Sequence, residues 1–262
     1  MSASIRLRGV TKFFGGLEAL RMIDLEVEPG QIVTVLGASG SGKTTLLRLI
    51  GGLDEPSAGA VTVDDASPHQ ARIAKRVGFV PQSPALLPWR TVAQNARLLL
   101  EVNRGAAGDA TRSPDDLLAE VGLTGFAKAY PHELSGGMQQ RVSLVRAMAL
   151  GAPLLLMDEP FAALDEITRA DMRHLLARLC ESMSTTIVFV THSIAEAVFL
   201  SDRVVVLSNR PGRIVGIEPI TLPRPRHPDM EDDAEFFALT KRLRALLHEG
   251  AAMRTTPPGV PT

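Results

Sequence analysis

Gly37-Ala38-Ser39-Gly40-Ser41-Gly42-Lys43-Thr44 decides the fold. It stands between a β-branched apolar run, Gln31-Ile32-Val33-Thr34-Val35-Leu36, and a helix-period stretch, Thr44-Thr45-Leu46-Leu47-Arg48-Leu49-Ile50, which Gly51-Gly52 ends. The eight residues match G-x-x-x-x-G-K-[ST] in the context that gives the motif meaning, a strand before and a helix after. The glycines let the backbone curl so that several N–H groups point inward at phosphate oxygens. The helix N-terminus adds the positive end of its dipole. Lys43 then supplies a point charge at the β- and γ-phosphates, and the Thr44 hydroxyl is a ligand for Mg²⁺. Thr45, the next residue of the helix, belongs with the nucleotide-binding set. The expectation is a site for a nucleoside triphosphate with Mg²⁺.

Outward from this loop, Ile5 to Val10 and Leu20 to Val27 alternate apolar and polar residues, as half-buried strands do. Val61-Thr62-Val63 and Val77-Gly78-Phe79-Val80 read as short strands. From Thr91 to Leu150 β-branched runs almost vanish, and the block reads as helices broken at Gly105 to Gly108, near Ser113-Pro114 and near Pro131. Strand signals return at Leu154 to Met157, Thr185 to Val190 and Arg203 to Leu207, with a helix over about Ile167 to Met183 among them. Continuous apolar strands alternating with helices indicate a parallel sheet covered on both faces. The fold class expected is α/β, a P-loop nucleotide hydrolase core with a mostly parallel sheet, an N-terminal antiparallel β portion and an inserted helical subdomain. After Pro223 a final helix is expected over about Asp232 to His248, followed by a disordered Pro-rich end.

Leu154-Leu155-Leu156-Met157 runs straight into Asp158-Glu159-Pro160. Four apolar residues followed by two acids place both carboxylates at the C-terminal edge of a buried strand, where ligands of open α/β sheets collect. Asp158 is the expected partner of Mg²⁺, and Glu159 the expected acceptor of a proton from an attacking water. A third device lies between: Leu134-Ser135-Gly136-Gly137-Met138 opens the helical run Val142 to Leu150. A serine and two glycines at a helix N-terminus make a second anion site in the same chain.

With these in order, the sequence resembles the ATP-binding subunits of ABC transporters over residues 4 to about 215. The phosphate loop, Gln82, the Leu134-Ser135-Gly136-Gly137 signature, the acidic pair, Ala163-Leu164-Asp165 and His192 all occupy the family's order. The resemblance implies that residues 1–230 are the ATP-binding domain, with a helical subdomain at about 85–150, and that 231–262 are a C-terminal helix and tail. It implies that Phe14 stacks on adenine, Gln82 contacts Mg²⁺ and the attacking water and senses the transporter, and His192 contacts the γ-phosphate. Ser135, Gly136 and Gly137 would clasp ATP held by the opposite subunit, and Asp165 would link the two sites. Glu159, His192, Gln82 and Lys43 form the implied catalytic set; Thr44, Gln82 and Asp158 form the implied metal set. Two departures from the commonest pattern are Phe14 in place of Tyr and Met138 in place of Gln. Neither touches the phosphate-contacting groups.

Leu86-Leu87-Pro88-Trp89-Arg90, Pro160-Phe161-Ala162 and Leu222-Pro223-Arg224-Pro225-Arg226 look like importers for nitrate, taurine, alkanesulfonates and related anions or pyrimidine precursors. Trp89 reads equally as a docking aromatic and as packing. The implied partners are a paired ATPase subunit (homodimer or heterodimer), integral membrane permease subunits and, indirectly, a solute-binding protein. An exporter subunit is disfavoured because no membrane segment is fused to the cassette. A soluble ATPase of DNA repair or translation is disfavoured by the lack of a long coiled coil or a second cassette.

The 262 residues are 45% hydrophobic and 22% charged, enough apolar material for a core and incompatible with wholesale disorder. Lys and Arg number 28 against 29 Asp and Glu, so the basic footprint of a nucleic-acid binder is missing. The single cysteine, Cys180, excludes a disulfide within the chain and sits where a small core residue belongs. No apolar run reaches the roughly 20 residues of a spanning helix, and the first residues lack a signal-peptide core. The expected place is the cytoplasmic face of the cell's inner membrane, through the permease.

Overall fold

The structure, a computed structural model, describes residues 2–103, 112–181 and 183–253. The chain runs β1 (Ile5–Phe14), β2 (Leu17–Val27), β3 (Ile32–Leu36), α1 (Lys43–Ile50), β4 (Ala58–Val63), α2 (Pro68–Ile73), β5 (Val77–Val80), α3 (Val92–Val102), α4 (Pro114–Glu120), α5 (Gly136–Met148), β6 (Leu154–Asp158), α6 (Glu166–Glu181), β7 (Thr186–Thr191), α7 (Ile194–Leu200), β8 (Arg203–Leu207), β9 (Ile214–Pro219) and α8 (Ala234–Ala252). β3, the buried strand read before the phosphate loop, lies inside a six-stranded sheet of order β5-β6-β7-β3-β8-β9. Its strands pair in parallel except β8 with β9. The N-terminal strands form a separate antiparallel sheet, β2-β1-β4.

The period of two along each strand sorts the core into two clusters. Val33 and Val35 of β3, Leu154 and Leu156 of β6, and Val188 and Val190 of β7 face one way, onto Leu46, Leu47, Leu49 and Ile50 of α1 and the apolar face of the antiparallel sheet. Ile32, Leu36, Leu155, Met157, Ile187 and Phe189 face the other way, onto α3 to α8. Thus α1, which opens at Lys43, is held between two sheets, and the phosphate loop runs from the fully buried strand β3 into a helix whose apolar face is buried. Cys180 is buried, and burial pushes its thiol up to about 12.

Several elements differ from the sequence reading. β1 continues past Val10 to Phe14, and β2 begins at Leu17, so Phe14 pairs with Leu17 across the Gly15-Gly16 turn. The short helices α2 and α7 were not read, because six or seven residues carry too little of a 3.6-residue period. β9 was missed because it is a half-exposed edge strand with a glycine in it. The last helix begins two residues later than expected and continues to Ala252, packing Leu239 and Leu243 against the core. The breaks expected near Ser113-Pro114 and Pro131 coincide with the start of α4 and with a 3-10 turn over Pro131–Glu133. The break at Gly105 to Gly108 and the Pro-rich end fall outside the described residues.

Candidate nucleotide site

The first requirement of the phosphate loop is a backbone that turns tightly into α1. Gly42, the residue before that helix, has φ 94°, a conformation that residues with a Cβ rarely adopt. A Cβ there would also lie 2.9 Å from Ala19 O and 2.7 Å from Leu20 Cδ2, so the antiparallel sheet closes on the loop where only glycine fits. Lys43 is 4% exposed. Its Nζ donates to Gly37 O (2.9 Å) and Ala38 O (3.1 Å) and pairs with Glu159 Oε1 at 3.2 Å. The ammonium is therefore drawn over its own loop toward the acidic end of β6.

Thr44 Oγ1 donates to Asp158 Oδ1 at 2.9 Å. Burial pushes the Asp158 carboxyl above its ordinary range, the Thr44 hydrogen bond opposes this, and the neighbouring Glu159 charge adds to it. A desolvated carboxylate beside a hydroxyl is a donor set of hard oxygens, which fits Mg²⁺. Glu159 holds φ 40°, unusual for a residue with a side chain. Two main-chain bonds fix it there: its N–H donates to Val190 O (2.9 Å), and its carbonyl accepts from Ala162 N (3.1 Å). The strained turn aims its carboxylate between Lys43 and His192, whose Nδ1 lies 3.0 Å from Glu159 Oε2.

A cleft of about 390 Å³ opens over this centre. Phe14, Ser39, Gly40, Gly42, Lys43, Thr44, Thr45, Gln82 and Glu159 line it, together with Leu17, Ala19 and Arg210. Phe14 is half exposed, with Lys12 Nζ 4.9 Å from its ring centroid. Phe13, the other candidate for the stacking ring, does not line the cleft. The arrangement can hold a polyanion beside the buried Lys43 ammonium, with the Glu159 carboxylate in the same cleft and the His192 imidazole against that carboxylate. Arg210 was not singled out in the sequence. Its signal was Asn209-Arg210-Pro211-Gly212, a turn following an apolar strand at the same sheet edge.

The signature residues do not line this cleft. Ser135 caps α5, its hydroxyl accepting from Met138 N at 3.3 Å. Gly136 is exposed, while a Cβ on Gly137 would lie 2.8 Å from Thr168 Cγ2 in the first turn of α6. Asp165 begins that same turn, and the Thr168 N–H donating to it at 3.0 Å holds its carboxyl below its ordinary range. The structure thus gathers Ser135, Gly136, Gly137 and Asp165 in a second cluster. Met138 packs partly buried against the helical core. Trp89 is 71% exposed, so it does not serve as packing within this chain.

Residues 20–162 match the family described as ABC transporter. The chain is 43% identical over 246 residues to "Aliphatic sulfonates import ATP-binding protein SsuB 1" of Xanthomonas axonopodis pv. citri, an alignment covering 94% of this chain and 97% of that protein. It is 41% identical over 258 residues to "Bicarbonate transport ATP-binding protein CmpC" of Synechocystis, covering 95% of this chain and 38% of that protein. Among solved structures, the dimeric post-hydrolysis state of the ATP-binding cassette MJ0796 bound to ADP and Pi superposes with a TM-score of 0.69 at 33% identity. That superposition covers 84% of this chain and 100% of that one.

Proposed function

The chain belongs to the ABC transporter family as an ATP-hydrolysing, ATP-binding subunit of the importer type, and from that premise we propose that it drives uptake of a small anion or related solute. The class is that of alkanesulfonates, taurine, nitrate, bicarbonate or pyrimidine precursors. Two close relatives named for sulfonate and bicarbonate transport support this reading. Residues 1–230 act as the cassette, with about 85–150 as its helical subdomain and the remainder as an accessory helix and tail.

The observation that carries the reading is the single carboxylate of Glu159 placed between Lys43 and His192. Lys43 and the loop N–H groups hold the β- and γ-phosphates. Thr44 and Asp158, with Gln82, would hold Mg²⁺, which when bound neutralises phosphate charge. Glu159 orients the attacking water and accepts its proton, and His192 steadies the γ-phosphate. Phe14 stacks on adenine. Ser135, Gly136, Gly137 and Asp165 lie apart from this cleft, which supports a site completed by the signature cluster of a second ATPase subunit. The permease docks around Gln82 to Trp89 on the cytoplasmic face of the membrane, and a solute-binding protein delivers the solute to it from the other side.

The test is phosphate release by the purified chain with and without Mg²⁺, followed by capture of the permease that co-purifies with it. Uptake by the reconstituted complex then decides the solute class. Absence of Mg²⁺-dependent phosphate release in that complex would sink the mechanism. Uptake of a neutral sugar but no anion would overturn the solute assignment.

A further inference from the structure

The triphosphate of ATP carries more negative charge than Lys43 and one divalent cation balance, which leaves room for a further cation at the cleft. Lys12 is engaged: its Nζ donates to Glu55 O at 2.7 Å and lies 4.0 Å from Asp54. Lys43 is shared with Glu159 and two carbonyls. Arg210 lines the same cleft and, among the described residues, makes no ion pair and no side-chain hydrogen bond. A methyl group placed on Gly40 would lie 3.4 Å from Arg210 Nη2, so the guanidinium stands directly beside the phosphate loop.

The main chain carrying Arg210 is also fixed. Ser208 N donates to Arg213 O (2.9 Å), and Arg213 N donates to the Ser208 hydroxyl (3.0 Å), closing the turn on itself. Gly212 N donates to Ala19 O (2.9 Å), and Gly212 O accepts from Arg21 N (3.0 Å), which ties the turn to β2. A Cβ on Gly212 would lie 2.2 Å from Ser41 O, so the turn rests against the phosphate loop without a gap. A cation with a free guanidinium, on an anchored turn at the lip of an anion cradle, has the makings of a phosphate contact.

Resting on the nucleotide reading above, we infer that Arg210 binds the phosphates of the nucleotide held by Lys43, entering from the outer side of the loop. It is a binding residue that raises affinity for ATP and ADP alike and takes no part in proton transfer. A guanidinium in this place also makes nucleotide affinity more sensitive to salt than Lys43 alone would.

The experiment is calorimetric titration of the purified full chain with ATP and with ADP at two salt concentrations. The chains compared are wild type, Arg210→Gln, Arg210→Lys and Lys43→Ala. Arg210→Gln should weaken both nucleotides by roughly tenfold, the size of one charge-assisted hydrogen bond, and flatten the salt dependence. Arg210→Lys should restore affinity to within a few-fold, because the charge returns. Arg210→Gln binding as wild type, or Arg210→Lys binding as weakly as Arg210→Gln, would overturn the inference while loss of binding in Lys43→Ala left the nucleotide reading standing. Wild-type affinity in Lys43→Ala would overturn both.

Discussion

His192 Nδ1 lies 3.0 Å from Oε2 of Glu159. The other oxygen of that carboxylate faces Lys43. A carboxylate held by an imidazole on one side and an ammonium on the other has a fixed direction, and the proposed general-base role depends on direction first and basicity second. Glu159→Gln keeps the size of the side chain and an acceptor for Lys43 but removes the basic oxygen. Phosphate release should fall by roughly 10²–10⁴-fold, the usual share of a general base. ATP binding should survive, because Lys43, Thr44 and Asp158 are untouched. Size-exclusion chromatography of this variant should show a dimer with ATP and a monomer with ADP. Near-normal turnover would dismiss Glu159 as the base.

Phe14 lines the nucleotide cleft and Phe13 does not, although the two are equally exposed. Phe14→Ala should therefore weaken ATP binding by about 1–3 kcal/mol, the range for base–aromatic stacking, and Phe14→Tyr should be close to neutral. Phe13→Ala should leave ATP affinity within twofold of wild type. Reversal of the two alanine results in a titration would move the stacking role to Phe13.

The main sheet and the phosphate loop were legible because both depend on local signals: β-branched runs, and glycines whose spacing follows from the turn they make. The pairing of Asp158 with Thr44 was legible at one remove, since strand ends of one parallel sheet share an edge. Arg210 was not, because the long stretch of chain between Gly40 and that turn leaves no periodic trace of their proximity. The edge strand β9 and helix α7 were also hidden, the first by its half-exposed composition and the second by its brevity. Nor could the sequence show what holds Trp89. Asn95, fully buried, donates to the carbonyls of Leu87, Arg90 and Thr91, and its own carbonyl accepts from Leu87 N. These contacts become visible only once the chain has folded.

Arg146 supports the other side of the same loop. From α5, the helix capped by Ser135, its guanidinium donates to Pro84 O (2.7 Å) and Ala85 O (2.8 Å). Ala85 sits at φ 47°, a strained conformation that these bonds hold in place. Arg146→Met keeps the length and removes the donors, leaving two carbonyls poorly satisfied. The expected cost is about 3 kcal/mol, which for a chain of this size lowers Tm by roughly 6–12 °C. Because Trp89 is the only tryptophan, its emission gives a local readout. Acrylamide quenching of Trp89 should rise in Arg146→Met well below the melting transition, and Arg146→Lys should fall between. Unchanged quenching and an unchanged Tm would show that Arg146 does not hold the loop.

Glu196 gives a prediction whose sign depends on pH. Its side chain is 4% exposed on α7, four residues after His192, and accepts a hydrogen bond from the Thr191 hydroxyl, which in turn accepts from Ser193 N. Burial pushes its carboxyl above the ordinary glutamate range; the Thr191 hydrogen bond and the charges of Arg169, His192 and Arg173 only partly offset this. The folded chain therefore retains a proton on Glu196 at pH values where the unfolded chain has lost it. Between the unfolded and folded pKa values the native state binds more protons, so stability falls as pH rises through that window. Above the window the full cost of burying the carboxylate remains, and below it the cost is gone. Glu196→Gln removes the titration and keeps an oxygen to accept from Thr191. Its Tm should exceed that of wild type at pH 8, and the difference should shrink as pH falls to below about 4, where the wild-type carboxyl becomes protonated in both states. Asp158, also raised by burial, titrates in both chains and cancels from the difference. Thermal melts of the two proteins across this range give the answer directly. A Tm difference that is constant with pH, or one that grows on acidification, would show that the buried Glu196 carboxylate carries no net cost in the folded chain.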